Sequence, residues 1–462
     1  MKKVLCHGVF DLLHEGHVKH LEAAREFGDY LIVSITADAF VRKGLNRPHF
    51  SQDTRKRMLL ALRIVDEVLI NPAEHVANLI GILKPDFYVK GFDYEVEKSD
   101  LTGNLAKEKK ALEAYGGQFR TTNCEVNSSS GLLNKFIIKY SEPQSAMLAR
   151  IKNMGGMDII LSTLSKLEKL KIYVVGEVIN DVYEFCVPVG LSSKGTSLSV
   201  LRKKKETHEG GTAAICRSVL QFSPYLSYES GWSSGSIEKK RYVEESTGRQ
   251  LFECCSLPTP IWNPTVEDEI SLSRQLPSIN QHDILLICDF GHGLFTPSII
   301  QILSEAKIFT ALNVQTNSLN LGFNLFTKYK KYDYLTMDLR EARLALHDQA
   351  SSAENIFKKI ESVVPASCSA TSMTLGPLGS LFYHRAGKES VSCPAFATNI
   401  VDAIGAGDAF FTLTSLLCRV STNPYLILFL GNVFAGLKTQ IQGNKRSVTK
   451  LELIQACKSL LA

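Results

Sequence analysis

Short β-branched runs alternate with helical patterns twice over in this chain, once before and once after a stretch that has no strand pattern. Residues 4–9, 30–36, 67–70 and 87–90 read as strands, each followed by an apolar-periodic segment, at 17–27, 54–64, 76–83 and 105–115. A second alternation starts at 172–175 and continues through 284–288, 309–314, 334–337 and 370–375, with long helices after Gly407. Strands that alternate with helices predict parallel sheets covered on both faces. The stretch 140–171, with Ser141, Pro143, Gly155-Gly156 and an amphipathic segment at 159–170, reads as a linker plus docking helix. The expected organisation is therefore one α/β domain over 1–137, a linker over 138–170 and a second α/β domain over 171–462. At 462 residues and about 150 residues per domain, the length supports this division.

Composition excludes several classes. Hydrophobic residues are 45% and charged residues 21%, the values of a folded globular chain rather than a disordered one. The net charge of +5 is too small and too scattered to argue for a nucleic-acid or membrane surface, though it suits phosphorylated substrates. No apolar run approaches the roughly 18 residues of a membrane span, and a cytoplasmic location is expected. The 11 cysteines include no CxxC pair, and Cys254 and Cys255 are adjacent, so reduced thiols are expected.

Two corners carry candidate chemistry. In the first, the opening strand runs into Gly8-Val9-Phe10-Asp11-Leu12-Leu13-His14-Glu15-Gly16-His17 and then directly into a helix. Gly16 lets backbone approach a ligand, and the helix N-terminus offers N–H groups to phosphate. His14 and His17, three apart, face the same way and could donate to phosphate oxygens in a transition state. A zinc site is disfavoured, because His-Glu-Gly-His is one residue short of the HExxH helix motif. In the second corner, Asp402-Ala403-Ile404-Gly405-Ala406-Gly407-Asp408 enters a helix that is apolar nearly all round. Its glycines permit a turn whose N–H groups converge on an anion, and Asp408 beside that nest suits a general base. The plain alternative for Asp408 is a helix cap. The stretches 191–209 and 239–253 alternate like strands yet bury little, and could form a flap over a site.

The first corner resembles the HxGH signature of the cytidylyltransferase-like nucleotidylyltransferases. Blocks in the same order support it: Thr36-Ala37-Asp38, Arg47-Pro48, Arg55, Val65-Asp66, Val89-Lys90-Gly91-Phe92-Asp93-Tyr94 and Ser128-Ser129-Ser130. The resemblance covers 1 to about 137. It implies attack of a sugar or polyol phosphate on the α-phosphate of a nucleoside triphosphate, CTP or ATP, with loss of pyrophosphate. His14 and His17 would stabilise the transferring group, assisted by Lys43 or Arg47 and by Arg55. Gly8, Val9, Phe10, Gly16, Lys90, Gly91 and the Ser128–Ser130 triplet would line the nucleotide. Asp11 and Asp93 stay open between holding magnesium, placing the base, and being exposed structural carboxylates.

The second corner resembles the DTxGAGD signature of the ribokinase-like (PfkB) sugar kinases, with Ala403 in place of Thr. Val175-Gly176, Asp181, Gly210-Gly211, Asp289-Phe290-Gly291-His292-Gly293, Asp338 with Glu341, and Thr374-Leu375-Gly376-Pro377-Leu378-Gly379 extend the match over 171 to about 460. By this resemblance Asp408 is the base and Gly405, Ala406 and Gly407 form the anion hole. Glu341 acts through magnesium and water, while Asp338, Thr374, Gly376 and Gly379 lie near ATP. Asp181, Gly210, Gly211 and Asp402 face the sugar. Glu177, Ala214 and Asp338 depart from the usual Asp, Asn and Asn. The basic runs 202–205 and 239–241 stand open between clamping a phosphate on the acceptor and being a solvated face.

Together the halves resemble the bifunctional heptose kinase/adenylyltransferases of surface-glycan precursor synthesis, with the domain order reversed. The expectation is an enzyme that phosphorylates a sugar or sugar phosphate with ATP and Mg2+, and transfers a nucleotidyl group to a sugar phosphate. It needs no nucleic acid and no membrane, and the resemblance allows a homodimer paired through the flap. The alternatives are a cytidylyltransferase with a regulatory kinase-like domain, and a binding protein in which the departures have cost the kinase half its turnover.

Overall fold

The computed structural model describes residues 1–91, 104–122, 140–229, 237–257 and 264–462. It divides into two units, one made of Met1–Ser141 with Ile454–Ala462 and the other of Glu142–Leu453. The 138–170 stretch, expected to be a linker with one docking helix at 159–170, holds two helices, Glu142–Asn153 and Gly156–Leu167, both in the second unit. Ile160, Leu164 and Leu167 are fully buried, and Gln144 donates to the Ala395 carbonyl at 2.7 Å.

In the first unit, β1 (Lys3–Gly8), β2 (Tyr30–Thr36), β3 (Glu67–Asn71), β4 (Phe87–Gly91) and β5 (Gln118–Thr122) form one sheet in the order β3-β2-β1-β4-β5. Every pairing is parallel. The central strands read as near-continuous apolar runs because both of their faces are covered. Val4, Cys6, Val33 and Ile35 pack with Leu21, Ala24 and Leu59 of the helices Glu15–Arg25 and Gln52–Leu60. Leu5, Ile32 and Tyr88 pack on the other face with Ile80 and Leu112 of the helices Ala77–Leu83 and Asn104–Glu113. Strand order reverses between β1 and β4, which opens a crevice at their carboxyl ends. Both Gly8 and Gly91 end strands at that crevice.

In the second unit, β6 (Ile172–Gly176), β9 (Leu226–Glu229), β12 (Ile284–Asp289), β13 (Phe309–Val314), β14 (Tyr334–Asp338), β15 (Ala370–Thr374), β16 (Ser380–His384) and β17 (Glu389–Cys393) form a single sheet. Its order is β17-β16-β15-β14-β13-β12-β6-β9, parallel except at the two strands of the β17 edge. The expected flap is a separate four-stranded sheet of β7 (Val178–Leu191), β8 (Leu198–Gly211), β10 (Ile237–Glu244) and β11 (Gln250–Ser256), ordered β11-β10-β7-β8. Its outer part buries little: Val189, Leu191 and Leu201 are exposed. The helices Ala406–Val420 and Pro424–Lys438 are buried along most of their length, which explains why they read as apolar nearly all round.

One buried cation ties the loops of the first unit together. Arg55, 1% exposed, donates to the carbonyls of Phe50 (3.1 Å), Val9 (2.6 Å) and Thr36 (2.9 Å), and to Asp38 (2.5 Å). Replacing Arg55 by Met would take the donor from three carbonyls and the ion pair from Asp38, which keeps its bond from the Gln52 N–H. A loss of about 3 kcal/mol is expected, measurable as a lower urea midpoint for the first unit with an unchanged m-value.

Candidate active sites

At the first corner the chain leaves β1 through a turn in which Phe10 and Leu12 have φ of 49° and 60°, strained values for residues with a Cβ. The turn brings His14 to the N-cap of the helix Glu15–Arg25, where its Nδ1 accepts from the Gly16 N–H at 3.1 Å. The His14 and His17 rings stack with centroids 3.9 Å apart, and Phe10 lies 5.2 Å from His17. Burial, then the charges of His14, His20 and Lys43, push His17 down to about 3, and burial lowers His14. Both imidazoles are therefore neutral near pH 7 without a ligand. Behind them Lys90 of β4, 3.7 Å from Glu108, joins burial in lowering His20 to about 4 and His7 to about 3. A Cβ at Gly91 would meet no atom within 4 Å among the described residues.

Several expected ligand residues have other duties. Asp11 is buried and accepts from Arg47 (3.1 Å) and from the His49 (2.8 Å) and Phe50 (2.9 Å) N–H groups. It is an internal anchor of the 47–50 loop, which corrects its reading as an exposed carboxylate. Arg55, expected beside the nucleotide, gives its described hydrogen bonds to loop carbonyls and Asp38. Arg47 keeps a buried Nη2 with no hydrogen-bond partner among the described residues, which suits an anion. Lys43 is exposed within electrostatic reach of His17. Asp93 and Ser128–Ser130 lie outside the described residues.

The second corner stands over the carboxyl ends of β12 to β15. Gly405, φ 77°, caps the helix Ala406–Val420, and Asp408 lies in its first turn. Asp408 Oδ1 accepts from Gln315 Nε2 at 2.6 Å, and Gln315 directly follows β13. Burial raises the Asp408 carboxyl to about 6, against the pull of Gln315 and Lys438. Asp338 caps the helix Leu339–Leu346 by accepting from the Glu341 N–H (2.7 Å). Glu341 accepts from the N–H groups of Asp338 (2.8 Å) and Thr316 (3.0 Å). Burial and the charges of Asp338 and Asp408 push Glu341 up. No group of three or more metal-ligating side chains occurs among the described residues. The acidic edge thus fits a cation carried mainly by phosphates and water, not a protein cage. Thr374 ends β15, while Gly376 is exposed. Gly379 makes a turn, φ 102°, where a Cβ would stand 2.0 Å from the Cys393 carbonyl.

The acceptor side is built around Asp181 of β7. It pairs with Arg241 (2.5 Å) on one oxygen and accepts from Asn444 (2.8 Å) on the other. A Cβ at 210 would lie 2.0 Å from Asp181 Oδ2, so only glycine admits this carboxylate, and Gly211 adopts φ 56°. Asp402, expected at the sugar, accepts from the Ile404 (2.9 Å) and Gly443 (2.8 Å) N–H groups. Arg241 is neither a solvated charge nor a free clamp, because it is buried between Asp181 and Glu253. Its neighbour Lys239 registers opposite Asp181 and acts electrostatically on Asp408 and His292. Both ring nitrogens of His292 are buried without a partner among the described residues. Glu177, fully buried, accepts from the N–H groups of Phe290 (2.8 Å), His292 (2.9 Å) and Leu294 (3.1 Å), fixing the loop that carries this imidazole. Gln315, Asn444 and His292 escaped the sequence reading as site residues. Gln315 and His292 had a usable signal, their place just past the ends of parallel strands.

Residues 5–135 match the family model described as cytidylyltransferase-like, and residues 313–419 match that of the pfkB family carbohydrate kinases. The chain therefore carries a cytidylyltransferase-like domain ahead of a PfkB carbohydrate-kinase domain. Among relatives, it is 37% identical over 142 residues to "Bifunctional protein HldE" of Geobacter sulfurreducens, covering 30% of this chain and 28% of that one. It is 44% identical over 125 residues to the protein of the same name from Aliarcobacter butzleri, covering 26% of each. The matched stretch thus spans less than a third of these relatives' length. Phosphofructokinase-2 from Escherichia coli, solved with fructose-6-phosphate, superposes with a TM-score of 0.50 at 11% identity, over 63% of this chain and 100% of that one. At that identity it shows a shared fold.

A triphosphate arriving at the first corner would favour the protonated imidazoles that burial disfavours, so nucleotide binding should take up protons. Calorimetric titration of CTP, and separately of ATP, in buffers of different ionisation enthalpy should show net uptake near pH 6.5 that His17→Asn removes. Equal uptake in the variant would separate His17 from the phosphates.

Proposed function

We propose that this chain is a bifunctional enzyme that phosphorylates a sugar or sugar phosphate with ATP and couples a nucleotidyl group from CTP or ATP to a sugar phosphate. The observation that carries the reading is the presence, in one chain, of a carboxylate held by Gln315 beside an anion turn and of two stacked imidazoles at a second phosphate corner.

In the kinase reaction the acceptor hydroxyl gives its proton to Asp408 as its oxygen bonds to the γ-phosphorus. The bond from γ-phosphorus to the bridging oxygen breaks, ADP departs, and the N–H groups of 405–407 hold the charge. Magnesium would neutralise the phosphates, with Glu341 reaching it through water. Asp181, held by Arg241 and Asn444, orients the acceptor. In the transferase reaction a phosphate oxygen of the sugar phosphate attacks the α-phosphorus and the α–β bridge breaks. Pyrophosphate leaves while His14 and His17 stabilise the transferring group, with Arg47 and Lys43 assisting.

The departures from the kinase pattern do not favour a degenerate domain. Glu177 and Asp338 each have a definite structural task, loop fixation and helix capping, that is compatible with turnover. The resemblance to heptose kinase/adenylyltransferases makes a heptose phosphate the favoured substrate class and a nucleotide-activated sugar for surface glycans the favoured product. No helix among the described residues is long and apolar enough to cross a membrane, which agrees with work in the cytoplasm. The exposed apolar residues of the flap sheet favour a homodimer formed there.

Incubation with Mg2+, ATP, CTP and a panel of heptose and hexose phosphates, read by mass spectrometry, tests the reading. ADP and pyrophosphate should both form. Asp408→Asn should abolish ADP at least about 1000-fold and spare pyrophosphate, with His14→Ala doing the reverse. Because Asp408 must be ionised to act, ADP formation should fall about tenfold per pH unit below about pH 6. A panel that gives neither product would sink the proposal.

A further inference from the structure

Beneath the anion turn lies a buried ammonium that the reaction above leaves unused. Lys438 ends the helix Pro424–Lys438 and is 6% exposed. Its Nζ donates to the Gly443 carbonyl at 2.5 Å and to the Ile404 carbonyl at 3.2 Å. A Cβ at Gly405 would lie 3.1 Å from Lys438 Cε and 3.4 Å from Nζ, so glycine there serves the approach of this side chain as well as its own φ of 77°. Asp402 joins the same two segments from the other side, accepting from the Ile404 and Gly443 N–H groups. The turn and the 443 segment are thus stitched by a carboxylate through their N–H groups and by an ammonium through their carbonyls.

Burial lowers the pKa of this ammonium, and the charges of Asp408, Asp402 and Asp181 oppose that shift; the two carbonyls replace part of the water it has lost. Carbonyl oxygens converging beside a carboxylate are also what a desolvated monovalent cation takes. In this chain the place belongs to a side chain, which supplies the same charge without the entropy of capturing a free ion.

We propose that Lys438 is a positioning residue of the kinase site: a tethered cation that holds the 404–407 turn in its anion-binding shape, so that the site needs no free monovalent cation. The inference rests on the kinase reading for its purpose, but its test does not need turnover. Hydrogen exchange of the 402–409 segment, followed by mass spectrometry on the full chain, is compared in potassium, ammonium and choline chloride at one ionic strength. The wild type should exchange equally in all three. Lys438→Ala, which opens a carbonyl-lined hole, should exchange about tenfold faster in choline and regain most of its protection in potassium or ammonium. Lys438→Met, which fills the hole without charge, should exchange fast in every salt. A purely structural lysine would give Lys438→Ala the same loss in all salts, and that result overturns the proposal. So does potassium-specific protection of the wild type, which decides the matter alone should neither variant fold. If the expected pattern appears but no acceptor is phosphorylated, the kinase reading fails and the tethered cation stands.

Discussion

A parallel strand buried on both faces must turn at the edge of its sheet, and the backbone groups it exposes there need partners. Both candidate sites of this chain live on that constraint. In the first unit the reversal of strand order between β1 and β4 leaves Gly8 and Gly91 at one crevice, with His14 capping the helix that follows. In the second, β12 to β14 end at Asp289, Val314 and Asp338. The residues that follow, among them Gln315 and Glu341, meet the turn at Gly405. The sheets set where chemistry can occur, and the loops set which chemistry it is.

Those loops are held by buried charges rather than by apolar packing. Asp11 and Arg55 fasten the loops of the transferase-like unit, while Glu177, Asp402 and Lys438 fasten those of the kinase-like unit. Each spends its hydrogen bonds on backbone N–H or carbonyl groups that a turn leaves unpaired. A methyl-lined loop of the same length would have to bury those groups unsatisfied, at a cost of roughly 1–3 kcal/mol each. Lys438 also tunes the site: with the hydrogen bond from Gln315 it opposes the burial that raises Asp408, and in the first unit Lys90 helps keep His20 and His7 neutral.

What the sequence shows of individual residues divides along this line. His14, Gly405 and Asp408 were legible because local backbone geometry requires them near a helix start. The flap was legible because β8 and β11 alternate in sequence whether or not they are covered. Asp11, Arg55 and Asp402 sit inside signature motifs and so read as ligand contacts. Their carboxylates and guanidinium turn inward to backbone groups as far as 46 residues away in sequence, a direction that no local pattern records. Arg241 read as part of a charged run, and only the register that sets β10 beside β7 shows it buried against Asp181.

By itself the sequence determined that two α/β sheets share this chain and that each has a glycine-bearing corner suited to phosphate, because strand and helix periods and helix-start chemistry are local. Tertiary structure alone decided which charged residues face a ligand and which serve the backbone. It also decided that Gln315 and Asn444 hold the carboxylates of Asp408 and Asp181, and that Lys438 stands under the turn at Gly405. Those pairings join segments from distant strands and helices, and hydrogen-bond partners at such separations exist only once the sheets have formed.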